Sequence, residues 1–150
     1  MRTLSVTIAF LALLSLTACK KDGSSSNSTK KDLISRNWKI TALTGTFPPL
    51  PTIDLYAQMS ACEKDNILKI SSNGTYVFDE GATKCVSTDP QIIESGNWSF
   101  NSTETKVTIG SDTYDIISLS ATTLVISQAV AADPVGGTPA GTINGTLTAQ

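Results

Sequence analysis

The sequence contains no histidine. That removes the Ser-His-Asp and Cys-His nucleophile arrangements, an imidazole general base and the histidine-containing zinc sites. The three cysteines, at positions 19, 62 and 85, show no CxxC spacing, so a thioredoxin-like redox motif is absent as well. The glycine-rich stretch "GGTPAGTING" has neither the lysine nor the strand-to-helix setting of a phosphate-binding loop. No run of acids at alternating positions forms a calcium loop. Basic charge is in short supply too: 11 Lys and Arg stand against 13 Asp and Glu, a net charge of −2, so no nucleic-acid partner is expected. The apolar run "LSVTIAFLALLSL" falls short of the roughly 20 apolar residues of a spanning helix.

That run does fit another role. Arg2, the apolar block and the small residues Thr17 and Ala18 before Cys19 have the layout of a secretory signal peptide, expected over residues 1–18. Leu16-Thr17-Ala18-Cys19 resembles the bacterial lipobox, which implies acylation of Cys19 and attachment to a membrane through lipid. Acyl chains contribute about 0.8 kcal/mol per buried CH₂, and stable anchoring takes more than one. The following "KKDGSSSNSTKKD" has no aliphatic or aromatic residue and reads as a flexible tether over residues 19–31. Residues 32–150 are left as one domain with one core. With Cys19 assigned to lipid, Cys62 and Cys85 are an even pair in an exported chain and are expected to form a disulfide.

Within the domain, polar and apolar residues alternate between turn signals. Trp38, Ile40 and Ala42 share one face of a first strand, and Leu68 and Ile70 share one face of another. Asn73-Gly74 then turns into a strand carrying Tyr76 and Phe78, the strongest short hairpin signal available. Trp98 and Phe100, Val107 and Ile109, Tyr114 and Ile116, and Leu124 and Ile126 continue the pattern, and "GTINGTLTAQ" closes it. Between the first two strands, three prolines precede Thr52, which is placed to cap a helix of two to three turns over "IDLYAQMSAC". The predicted fold is all-β: a small antiparallel up-and-down barrel of about eight strands with one short helix inserted after the first.

The lipoprotein-type start, Trp38, "CEKDNILKISSNGTYVFDEGATKC", "GNWSF" and "YDIISLSATTLVIS" occur in an order that resembles the lipocalin-like lipoproteins of the Bacteroidetes. The resemblance covers about residues 32–128 and implies a lipocalin-like barrel on a lipid tether, in the cell envelope, with no catalytic residues to carry over. Its implied location is the outer membrane, on the periplasmic face or at the cell surface.

Candidate chemistry is sparse. Asp79-Glu80, Glu63-Asp65 and Asp112 with Asp115 lie at turns and are read as solvated acids. The residues that alternation points inward are Trp38, Ile40, Tyr76, Phe78, Trp98, Phe100, Tyr114, Ile116, Leu124 and Ile126; they either fill the barrel completely or line a pocket for a small apolar or glycan-like ligand. No enzyme activity, cofactor or metal is expected. A protein partner in the envelope, met through loops such as "TFPPLPT" and "DPVGGTPAG", is the other expectation.

Overall fold

The computed structural model describes residues 28–133, 137 and 139–150. The signal peptide expected over residues 1–18, Cys19 and the tether as far as residue 27 lie outside the described residues. The chain begins with α1 (Lys30–Ile34) and β1 (Asn37–Thr46), followed by β2 (Ile53–Asp54), α2 (Leu55–Gln58) and α3 (Ala61–Lys64). There follow β3 (Ile67–Ile70), β4 (Thr75–Asp79), β5 (Ile92–Phe100), β6 (Lys106–Ile109), β7 (Asp112–Leu119), β8 (Thr123–Val130) and β9 (Gly141–Ala149).

All strand pairings are antiparallel. From β3 to β9 each strand pairs with the next, β1 pairs with β3, and β9 pairs back along β1 from Trp38↔Ala149 to Thr46↔Thr142. This closes an eight-stranded ring and leaves no exposed edge along the β1–β9 seam. β2 is a two-residue addition to the top of β1, paired at Thr44↔Asp54 and Gly45↔Ile53. The eight strands of the ring are those that alternation marks in the sequence.

The meander gives the barrel two unlike ends. At one end lie the tight turns 71–74, 101–105 and 120–122, together with both ends of the described chain. At the other lie the long connections 47–66 and 80–91, the short turn 110–111, the end of β8 and the start of β9. The first end is plugged. Thr29 caps α1 in a reciprocal capping box with Asp32, satisfying backbone N–H groups that the helix itself leaves free. The helix thereby delivers Ile34 into the barrel end, fully buried. Lys30 donates to the Glu104 carbonyl at 2.7 Å and Arg36 to that of Ala121, tying α1 to two of the turns. Lys30 and Lys31, which composition assigns to the tether, are thus helical.

Above Ile34 sit Trp38, Ile70, Trp98, Val107 and Leu124, all buried, with Phe100, Ile116 and Leu119 packed against them. Trp98 meets Phe100 edge to face at 5.2 Å between ring centroids, a favourable aromatic geometry. Both indoles spend their N–H groups at this end: Trp38 donates to the Ile34 carbonyl and Trp98 to that of Ser71, each at 2.8 Å.

Three local expectations are corrected. Ala42 does not share the inward face of Trp38 and Ile40: it is exposed, and Leu43 and Gly45 take the inward positions. The register shift between Ile40 and Ala42 is the cause, because one extra residue in β1 reverses every later side chain. The single helix after β1 is two four-residue helices. Asp54, not Thr52, accepts from Ala57 N as the first cap. Ser60 opens a second capping box with Glu63, leaving Met59 extended between the two. Finally, Asp79 and Glu80 are each only 8% exposed rather than solvated. Asp79 accepts from Lys69 at 2.8 Å, Gln91 at 3.0 Å and the Gly81 N–H at 2.9 Å, and Glu80 accepts the Cys85 N–H. Lys69 above all, with Gln91 and Gly81, holds the Asp79 carboxyl below the usual range against the opposing effect of burial.

Candidate functional site

The upper half of the barrel is not filled. A cavity of about 450 Å³ opens through the end opposite α1, within the roughly 300–1,000 Å³ of small-molecule sites. Trp38, Tyr76 and Leu147 border it and also belong to the packed half below. Ile40 and Leu43 of β1, Leu68 of β3, Phe78 of β4, Ile109 of β6, Tyr114 of β7, Ile126 of β8 and Ile143 of β9 build the apolar wall. Met59, Glu63 and Asn66, from the segment between β1 and β3, reach in at the rim.

The rim is held by covalent and polar ties. A disulfide joins Cys62 to Cys85, linking the α3 segment to the β4–β5 connection. Asn66, with its amide nitrogen turned inward, donates to the carbonyls of Cys62 at 3.0 Å and Glu80 at 3.1 Å. The Ser60 backbone N–H and then its hydroxyl, both donating to Glu63, hold that carboxyl below its ordinary range.

The ten residues expected to face inward divide between two levels. Trp38, Ile40, Tyr76, Phe78, Tyr114 and Ile126 line the cavity, while Trp98, Phe100, Ile116 and Leu124 lie in the packed half. Filled core and open cavity are therefore both present, one above the other. The polar part of the lining is Glu94, Asp112 and Gln128; of these only Asp112 is singled out from the sequence, as a solvated acid at a turn. The period of two that marks the apolar residues marks these as well, since Glu94 lies four residues before Trp98, Asp112 two before Tyr114 and Gln128 two after Ile126.

Glu94 accepts a hydrogen bond from the Tyr76 hydroxyl, and Gln128 donates to Asp112 at 3.5 Å. The bond to Glu94, then burial and the Glu94 charge, push the Tyr76 phenol up to about 12. The neutral phenol is favoured by folding, so its contribution is complete below the ordinary phenol value of 10.0 and is lost as pH rises from there through about 12. In an ultraviolet titration of tyrosinate, Glu94→Gln is expected to bring this transition back toward the ordinary value. A transition that stays in place would assign the shift to burial alone. Burial also raises Tyr114, reinforced by the charges of Asp112 and Glu94, and its hydroxyl has no hydrogen-bond partner among the described residues.

Among the described residues no three His, Cys, Asp or Glu side chains are grouped to hold a metal ion. No described helix is long and apolar enough to cross a membrane.

An eight-stranded meander, plugged at one end and open at the other over an apolar cavity, is a small barrel of the kind whose interior either fills with side chains or has room for one small ligand. The model of the lipocalin-like domain family matches residues 34–126, more than half of the chain, and the protein belongs to that family. Neither the curated proteins nor the solved structures provide a match.

Proposed function

We propose that this chain is a non-enzymatic lipoprotein of the cell envelope, acylated at Cys19, whose barrel holds a small, largely apolar ligand in its open half. The observation that carries the reading is the cavity of about 450 Å³, walled by aliphatic and aromatic side chains and bordered at its mouth, among the described residues, by the α2–α3 segment. A complete core would serve stability better than an open one, because apolar side chains left facing a void or water forgo about 25 cal/mol per Å² of burial. The lipid anchor rests on the signal-like start and the lipobox-like tetrapeptide.

Displacement of a fluorescent apolar dye, with native mass spectrometry of the purified protein, tests the cup. Gly145 supplies the blocking variant. Its position faces the cavity, and a Cβ there would meet only ordinary contacts, with Ile126 at 3.5 Å and with Leu43 and Leu147 at 3.8 Å. Gly145→Phe should abolish dye binding while leaving the circular dichroism of the barrel unchanged. Undiminished binding by this variant would sink the cavity reading.

A second reading, a protein partner in the envelope, draws on the open end as well. Leu50, Val86, Ile92 and Ile93 are 44% to 53% exposed, and all four lie on the connections or strand end at the mouth. Several large apolar residues exposed at one end of a barrel favour contact with another protein. Crosslinking in intact cells would capture such a partner whether or not the cup is filled.

A further inference from the structure

The cavity wall is asymmetric in charge. Glu63, Glu94 and Asp112 contribute carboxylates to the lining, and no lysine or arginine is among the described residues that line it. Basic side chains around this end are engaged elsewhere: Lys69 pairs with Asp79 outside the cup, Lys64 lies over the Tyr56 ring at 5.0 Å, and Lys84 donates to the Asp89 carbonyl. Neither Glu94 nor Asp112 has a cationic partner among the described residues.

Resting on the reading of the cup as a ligand site, we infer that its ligand is a cationic amphiphile: an ammonium group on an aliphatic or aromatic body, with the apolar part against Ile40, Leu68 and Ile126 and the charge between Glu94 and Asp112. The geometry assigns the two ends. Below the carboxylates the wall is apolar down to Trp38 and Leu147, so a charged group there would lose water without gaining a partner. At the level of Glu94 and Asp112 an ammonium would keep access to solvent and gain two opposite charges. Tyr114, two residues from Asp112 on the same face of β7, adds an aromatic ring for the cation and an unpaired hydroxyl. An anionic amphiphile of the same length meets the reverse situation, with its carboxylate beside two others. The upward displacement of the Tyr76 and Tyr114 phenols is the same field felt by groups already in place, since both are raised in part by Glu94 and Asp112.

Three probes of equal chain length and different charge decide the matter: decylamine, decanol and decanoate, titrated calorimetrically below their aggregation concentrations at neutral pH and low salt. Because Glu94 and Asp112 are both exposed residues at the mouth, solvent screens them and each unit of charge is expected to change affinity by no more than about tenfold. Decylamine should therefore bind up to about tenfold tighter than decanol, and decanoate up to about tenfold weaker. The double variant Glu94→Gln with Asp112→Asn should level the three affinities while retaining decanol, which shows that the cup is still formed. Gly145→Phe should lose all three. If decanoate binds as tightly as decylamine to the unaltered protein, the charge inference falls and the cup stands. Decylamine binding that survives Gly145→Phe is attachment to the acidic exterior and also overturns it. If none of the three binds saturably, the cup reading falls as well.

Discussion

Trp38→Ala is expected to lower the unfolding free energy by about 3–5 kcal/mol, measured by denaturant titration of the described domain. A domain of this size is stable by about 5–15 kcal/mol, so the loss is large. Trp38 is fully buried and is the largest such side chain. Its indole separates the two halves of the barrel, touching the plug below and bordering the cavity above. Removing it joins the cavity to the space left behind, and few neighbours are free to collapse inward because Ile34 is held by α1. Trp38→Phe removes the hydrogen bond while keeping most of the ring's bulk. The Ile34 carbonyl also accepts from the Arg36 N–H at 2.9 Å, so it keeps a partner, and a cost of about 1–2 kcal/mol is expected. If the two variants lost equal stability, the filling role argued for the ring would be wrong.

Gly81→Ala is expected to cost about 3 kcal/mol or more and to disturb the mouth of the cup. Gly81 has φ +69, a conformation that strains any L side chain by about 1–3 kcal/mol. A Cβ there would also overlap the Asp65 carbonyl oxygen and lie 2.7 Å from its carbon, a backbone contact that no rotamer change relieves. The β4–β5 connection would have to lift from the α3–β3 junction, against the disulfide and the Asn66 bonds. A melting curve gives the stability change, and dye affinity gives the change at the mouth. Gly81→Ala with unchanged melting would mean that the connection is not seated as described.

The strands were legible because each has one face in the barrel and one in water, which writes a period of two into the sequence. Where that period breaks, reading fails for a physical reason. Thr41 adds a residue to β1 at the shift between Ile40 and Ala42, and nothing in "NWKITAL" announces it. The helix after β1 was misjudged because Asp54 and Ser60 are both good caps only six residues apart, and two caps so close make two short helices. α1 was hidden because its capping residues, Thr29 and Asp32, end a spacer-like run of serine and lysine, and its one buried residue, Ile34, is a single apolar signal. The cavity itself was left open by the sequence. Inward position shows in alternation, but whether ten inward side chains meet across the barrel depends on strand tilt and on the segment over the mouth. Asp112 reads as a solvated acid because it stands at a turn, and Glu94 is a lone acid in "IIESGNW" with nothing beside it to draw notice, although the alternation that places Trp98 and Tyr114 places them too.

The seating of α1 also gives the barrel a front and a back. The chain enters through the plug, where Lys30 and Arg36 bind turns of the closed end, while the cup opens at the opposite pole. Any support joined to the protein upstream of Thr29, whether a chip surface, a bead or the bilayer proposed for Cys19, is therefore connected at the blind end. The attachment and the mouth lie at opposite poles of the barrel, so a soluble donor or acceptor of ligand can reach the mouth without competing for space with the attachment.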